Sequence, residues 1–218
     1  MDRKQSVVTP ERYSKGMTFD QYVAYVGTPE NLAREAGRPG EARRDWSGFL
    51  RERYQKVRLS DTQRAAIQWL ASQPGGPAKV LVISEEWSSD CRRDGQTFSA
   101  SQQPSLAEAP DSNADIMAEF MNVKNGAAWQ SIPVAAFYTK DLEYLYHYIE
   151  YPAIYHKDPI VYGHIRKPQP GEAPEQTQER GNREFFALQA SPFFEIWACA
   201  GIDEILSSLH RRLLLGTV

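Results

Sequence analysis

The turn Trp87-Ser88-Ser89-Asp90-Cys91 holds the residues whose types and spacing are best suited to chemistry. A cysteine thiolate attacks disulfides, and a place near the start of a helix lowers the thiol pKa, whereas burial raises it. Asp90 also raises the pKa of Cys91 by like-charge repulsion, while the two arginines that follow the cysteine lower it. A serine hydroxyl needs an activating base, and no histidine lies next to Ser88 in the sequence.

The patterns around this turn predict the elements that position it. Residues 79–84 form a continuous apolar run rich in β-branched side chains, which is typical of a buried central strand. A helix is expected to begin at the turn, where Ser88 can cap it. Residues 132–138 predict a second strand, and residues 142–148 predict a third that pairs with it as a hairpin. Ser191-Pro192 is typical of the start of a C-terminal helix.

The first third of the chain is predicted to be helical. Thr18 and the pair Thr28-Pro29 are start signals, and Ser60 with Gln63 has the spacing of a capping box. The cluster Pro74-Gly75-Gly76-Pro77 then interrupts the pattern. We therefore expect a helical N-terminal extension over residues 1–76 and a second region over residues 77–218.

Together, these features resemble a known family. The order strand, turn, helix, Ile-Pro, strand, turn, strand, helix is that of thioredoxin folds, and Ile132-Pro133 stands where those folds have a cis-proline. Val-Leu-Val-Ile-Ser-Glu-Glu-Trp before Asp-Cys, with Asn-Gly and Ser-Ile-Pro-Val later, resembles the bacterial thioredoxin-like family whose turn reads Trp-Cys-Gly-Asp-Cys. The resemblance covers roughly residues 79–148. It implies an α/β, thioredoxin-like fold with a helical N-terminal extension and a C-terminal helix.

The resemblance also implies roles for particular residues. Ser88 and Cys91 occupy the two catalytic positions, of which the first normally attacks the substrate disulfide and the second resolves the mixed disulfide. Trp87, Ile132 and Pro133 would line a groove for an extended peptide or a disulfide-containing protein substrate, with the Ile-Pro bond cis and close to Cys91. Glu85 or Glu86 would assist proton transfer, although solvated or capping roles are the simpler interpretation for both.

The serine at the first catalytic position leaves two functions open. One is a member of the thiol-disulfide oxidoreductase group with at most monothiol chemistry at Cys91. The alternative is a non-catalytic thioredoxin-fold protein that keeps the groove beside Pro133 for a peptide or protein partner. Ser88 favours the alternative, whereas Cys91 and Pro133 are compatible with the enzyme.

Residues 92–114 depart from the family pattern. Thioredoxin folds place a long helix and a central parallel strand there. In this chain Pro104 and Pro110 interrupt the segment. Its large aliphatic or aromatic side chains are Phe98 and Leu106, which are too few to fill a buried helix face and a central strand. We therefore expect an insertion that replaces these elements, or their loss. Residues 95–112 are predicted to form no central strand and to be the least ordered part of the inferred core. Rapid amide-hydrogen exchange confined to them would indicate the insertion, and weak protection throughout residues 79–148 would indicate the loss.

Three further segments carry predictions of their own. Residues 166–182 predict an exposed loop, because they are rich in Pro, Gly and polar side chains. Cys199 lies in an apolar stretch and is expected to be a packed core thiol. His147 and Glu150 would project to opposite faces of a strand, so we predict no metal site there, and no motif indicates a cofactor.

Composition limits the classes of protein that remain. The formal net charge of the 218 residues is −3, with the positive excess confined to the N-terminal third, so nothing indicates a nucleic-acid partner. Two cysteines rule out a disulfide scaffold and fit a reducing compartment. No apolar run approaches the ~18 residues of a membrane helix. We expect a cytoplasmic protein with no membrane partner.

Overall fold

The computed structural model describes residues 6–37, 39–56, 58–99, 105–107, 113–124 and 126–216. The N-terminal third forms helices α1 (Pro10–Ser14), α2 (Phe19–Val26), α3 (Pro29–Leu32), α4 (Ser47–Lys56) and α5 (Asp61–Ser72). The remainder alternates strands and helices: β1 (Lys79–Ile83), α6 (Ser89–Ser99), β2 (Ser105–Ala107), α7 (Ala114–Met117), β3 (Asn122–Lys124), β4 (Ala127–Trp129), β5 (Val134–Tyr138), β6 (Tyr144–Ile149), a π-helix (Asp158–Ile165), α8 (Pro174–Gln189) and α9 (Pro192–Leu215). The chain thus has a mixed α/β fold.

The predicted helix starts in the N-terminal third are confirmed. The Thr18 side chain accepts a hydrogen bond from the Gln21 backbone, while the Gln21 side chain accepts one from the Thr18 backbone. Ser60 and Gln63 form the same reciprocal pair at the start of α5. Each pair satisfies backbone N–H groups that the first helical turn leaves unbonded.

The main sheet has the strand order β2-β1-β5-β6. Strand β1 is parallel to β2 and antiparallel to β5, in a register that pairs Lys79 with Tyr138 and Ile83 with Val134. Strand β6 pairs antiparallel with β5, so the predicted hairpin is confirmed. Strands β3 and β4 form a separate two-stranded sheet.

Both faces of the main sheet are covered. Alternate residues of β1 and β5 point to one face, where Val80, Val82 and Phe137 pack against side chains of α2, α4, α5 and α9. Leu81, Ile83 and other residues of the second face pack against α7 and the segment before α1. The N-terminal helices therefore share a core with the sheet region.

The structure corrects the prediction for residues 92–114. A helix and a strand are both present, because α6 continues to Ser99 and β2 pairs Leu106 with Val82. Strand β2 is three residues long and lies at the edge of the sheet, where no long apolar run is needed. The prediction that residues 95–112 lack a central strand agrees with this edge position. Residues 100–104 and 108–112 lie outside the described part, so the exchange prediction for them stays open.

Residues 166–182 are also corrected, because the second half of the predicted loop belongs to α8. Its sequence shows no apolar stripe because most of the helix surface is exposed. Arg180 anchors the helix: its guanidinium donates to Glu172 at 2.6 Å and to the carbonyl oxygens of Ile165 and Lys167 at 2.8 Å. Pro174 at the first helical position is the local signal of the start.

Helix α9 begins at Pro192, with Ser191 before it, as predicted. Cys199, however, is exposed, which corrects the prediction of a core thiol. Trp197 and Ala198 occupy the buried side of α9, and the rotation of about 100° per residue turns the next side chain outward.

Within the described part of the chain, no single helix has both the length and the apolar composition needed to cross a membrane, although α8 and α9 meet those criteria as a pair bent by 60°.

Candidate functional site

Residues 84–88 join β1 to α6, so the predicted turn Trp87–Cys91 spans the end of this connection and the start of α6. The connection lies next to Ile132-Pro133. Because Ile83 pairs with Val134, the residues just before β5 are brought to the end of β1 where this connection begins. The peptide bond between Ile132 and Pro133 is cis, which confirms that prediction. Pro133 is buried, and Ile132 packs against the apolar cluster under the second face of the sheet.

Cys91 is buried in the first turn of α6, with 2% of its surface exposed. The backbone N–H of Glu85 donates to its Sγ at 3.4 Å. Burial raises the pKa of the Cys91 thiol to about 12, and hydrogen bonds from the Glu85 backbone and the hydroxyls of Ser84 and Ser88 offset only part of this. The thiol is therefore protonated at neutral pH and is a poor nucleophile.

Ser88 is the residue immediately before α6, and it is 9% exposed. Its Oγ accepts a hydrogen bond from the Cys91 backbone N–H at 3.4 Å, and its carbonyl oxygen accepts one from the Arg92 N–H at 3.0 Å. This is the arrangement of a helix N-cap. The hydroxyl at the first catalytic position of the resembled family thus has a structural partner.

Glu85 and Glu86 are buried, which corrects the interpretation of solvated or capping side chains. The Arg43 guanidinium lies 2.7 Å from a carboxylate oxygen of Glu85 and 2.8 Å from one of Glu86. Arg34 also contacts Glu85 at 3.1 Å, and Asn31 donates to Glu86 at 3.1 Å. Neither carboxylate forms a described hydrogen bond with Cys91. The predicted role in proton transfer is therefore not supported by a direct contact with the thiol.

A second buried ionic network holds the other side of the turn. Arg93 contacts Asp90 at 2.7 Å and Asp94 at 2.5 Å, and Lys157 contacts Asp90 at 2.6 Å. The Tyr148 hydroxyl donates to Asp94 at 3.1 Å. Burial raises the pKa of Asp94 to about 6, and the Arg93 charge acts against this rise. The network ties α6 to β6 and to the segment before the π-helix.

A cleft of about 1000 Å³ opens beside the turn. Its walls come from the turn, the loop before α4, the π-helix and α8, and they include Trp46, Trp87, Tyr162, Phe185 and Phe186. Ile132 and Pro133 do not line it. The structure therefore separates the predicted binding residues, with Trp87, Ser88 and Asp90 on the cleft and the Ile-Pro pair on another side of the turn.

Trp87 is held in place by the backbone opposite it. Gly37 adopts φ +71°, and a Cβ built on this glycine would lie 2.7 Å from atoms of the Trp87 ring. Only a residue without a side chain fits between the loop and the indole. The Trp87 position thus depends on a loop 50 residues earlier in the chain.

The residues that hold this site together were not predicted from the sequence. Arg43, Asn31 and Lys157 contact the turn from distant parts of the chain, so no local spacing indicates them. The local signal is that the two adjacent glutamates follow a strand predicted to be buried, where carboxylates would require a cation. The aromatic residues Trp46 and Phe186 were likewise not predicted to approach Trp87.

Comparisons with solved structures show the fold. A crystal structure of a protein of unknown function from Pseudomonas aeruginosa matches with a TM-score of 0.55 and 14% sequence identity, covering 94% of this chain and 98% of that one. An HIV epitope scaffold matches with a TM-score of 0.53 and 12% identity over the same shares. No protein-family model matches the chain, and no curated protein is significantly similar to it. The shared fold includes the helical N-terminal region.

Proposed function

We propose that this chain is a thioredoxin-like protein that binds a partner and does not exchange disulfides. Three observations support the fold assignment. The sheet order β2-β1-β5-β6 combines one parallel pair, joined through α6, with an antiparallel hairpin. The Ile132-Pro133 bond before β5 is cis. Helix α9 follows β6 and packs on the face of the sheet.

The burial of Cys91 is the observation that carries the functional proposal. A monothiol enzyme needs an exposed thiolate, but this thiol is enclosed and its pKa is raised to about 12. The residue that would supply the attacking thiol is Ser88, whose Oγ caps the helix. Of the two functions that the sequence left open, the geometry therefore favours the binding protein over monothiol chemistry.

We propose that this chain is cytoplasmic and that its partner is an extended polypeptide segment, which binds beside Ile132. The Ile132 backbone forms no hydrogen bond with any other described residue, so its N–H and C=O are available to an added strand. Trp87 is half-buried and presents aromatic surface on the opposite side of the turn. Backbone pairing of this kind gives affinity without requiring a cysteine.

A disulfide-reduction assay with dithiothreitol as electron source tests the absence of exchange chemistry. We expect no turnover above background for the Cys199→Ser protein, which retains Cys91 alone. Adding Ser88→Cys should create a dithiol pair and raise turnover, whereas Ser89→Cys should not, because Ser88 is the residue in contact with Cys91. Turnover by the protein that retains Ser88 would contradict the proposal.

Binding is tested separately with S-alkylated insulin B chain, an extended polypeptide that offers no disulfide. We expect measurable affinity by calorimetry, and about a tenfold loss on Ile132→Ala, which corresponds to roughly 1.4 kcal/mol, because the partner segment lies beside this side chain. Ile196→Ala is the matched control, because Ile196 is an exposed isoleucine on α9, outside this site. Absence of binding, or equal losses in both variants, would overturn the binding proposal.

A further inference from the structure

The cleft beside Trp87 contains two charges that no other described residue neutralises. Arg44 and Arg166 line it from two different segments, and both side chains are exposed. Neither guanidinium has a carboxylate within 4 Å among the described residues. By contrast, the buried Arg43 and Arg93 and the half-buried Lys157 each contact two carboxylates.

The remaining charges of the cleft do not cancel these two arginines. Asp90 and Lys157 pair with each other at 2.6 Å. Arg92 is buried and donates to the carbonyl oxygens of Glu86 and Trp87. Glu41 is the other acidic residue of the lining. The cleft therefore carries a positive excess, although the whole chain has a net charge of −3.

The cleft also exposes aromatic rings next to these arginines. Tyr162 and Phe186 are 56% and 48% exposed, so both present ring surface to the cleft. The guanidinium of Arg166 lies 5.2 Å from the ring centroid of Phe185. Arginine stacked on an aromatic ring presents a flat cationic surface that suits both stacking and anion binding.

We infer that this cleft binds a small aromatic anion, whose ring packs between the aromatic walls and whose acidic group faces Arg44 and Arg166. A carboxylate or phosphate attached to a ring has this chemistry, and its acidic oxygens match the geometry of a guanidinium. The volume of about 1000 Å³ lies at the upper end of the usual range for small-molecule sites. The site shares Trp87 with the peptide-binding proposal but involves neither Cys91 nor the Ile132 backbone, and its test varies none of the residues that the peptide-binding test varies.

The test uses two probes that differ only in charge, naphthoate and naphthamide, with affinities measured by calorimetry at low salt. We expect naphthoate to bind about tenfold more tightly than naphthamide, and added salt to weaken naphthoate alone. Arg44→Gln and Arg166→Gln should each weaken naphthoate about fivefold and leave naphthamide unchanged. Phe186→Ala should weaken both probes.

Arg183→Gln is the matched control, because Arg183 is an exposed arginine on α8 that does not line the cleft. Equal affinity for the two probes, binding of neither, or an equal loss in Arg183→Gln would overturn the inference. A short polyglutamate peptide serves as the competing ligand class. If that peptide binds and naphthoate does not, the cleft is a site for an acidic polypeptide and the inference fails.

Discussion

The backbone N–H of Cys91 donates a hydrogen bond of 3.4 Å to the Oγ of Ser88. The two residues that would form a redox pair in the resembled family are therefore in a capping relationship, in which the Ser88 hydroxyl accepts a hydrogen bond from a backbone N–H of the helix that carries Cys91. The Ser88 hydroxyl caps the helix, and Cys91 is buried, with 2% of its surface exposed. This relationship supports the proposal that the turn binds a partner and does not exchange disulfides.

Gly37→Ala tests whether the loop before α4 positions Trp87. Both Gly37 and Gly40 adopt left-handed φ angles, so alanine at either position costs roughly 1–2 kcal/mol of backbone strain. Only at Gly37 would the new Cβ meet the Trp87 ring, at 2.7 Å, and overpacking adds about 1–3 kcal/mol. We expect Gly37→Ala to be the more destabilising by urea unfolding and to shift tryptophan emission, with Gly40→Ala as the control. Equal effects would show that the close approach does not matter.

Arg43→Met tests the ionic network behind the turn. Removing the cation leaves the buried carboxylates of Glu85 and Glu86 facing one another, and loss of one partner from a buried pair costs about 3–5 kcal/mol. Lys15→Met is the control, because its ion pair with Glu11 is solvent-exposed and contributes about 0–1 kcal/mol. The measurement is the free energy of unfolding of both variants. A loss in Arg43→Met no larger than in the control would contradict the network's role.

We expect the Cys91 thiol to lower the free energy of unfolding at alkaline pH. Its pKa is raised in the folded state, so the proton is retained there after the unfolded chain has lost it, and folding becomes less favourable as pH rises. The loss should begin near the unfolded value of about 8.5–9 and end near the folded value of about 12.

Within that window, the slope attributable to Cys91 is about 1.4 kcal/mol per pH unit. Comparing the Cys199→Ser protein with its Cys91→Ala derivative removes the contribution of the tyrosines, which titrate in the same range in both. We expect the derivative to show the shallower decline in unfolding free energy. Identical slopes would mean that Cys91 ionises in the folded protein as it does in the unfolded chain.

Local signals predicted much of the fold. Capping pairs at Thr18 and Ser60 act over three residues, so the sequence contains everything needed to place those helices. The apolar run that predicted β1 and the Ile-Pro pair that predicted the cis bond are also signals within a few consecutive residues. In contrast, α8 lacks an apolar stripe and depends on Arg180 contacts with distant groups, which periodicity cannot indicate.

The candidate site was less predictable for the same reason. Whether Glu85 and Glu86 are solvated or buried depends on Arg43, which reaches them across the fold. The burial of Cys91 depends on how α6 packs, and the exposure of Cys199 on which side of α9 faces outward. Residue types alone led to the expectation of no dithiol exchange, because Ser88 stands at the first catalytic position of the resembled family.

The reactivity of the Cys91 thiol in the folded Cys199→Ser protein tests the central claim most directly. With a chromogenic disulfide reagent at neutral pH, the account predicts no fast-reacting thiol until urea unfolds the protein, when Cys91 should react stoichiometrically. The Cys199 thiol of the unsubstituted protein, which is exposed, gives the internal reference for an accessible cysteine. Reaction of Cys91 in the native state at or above that reference rate would contradict the account.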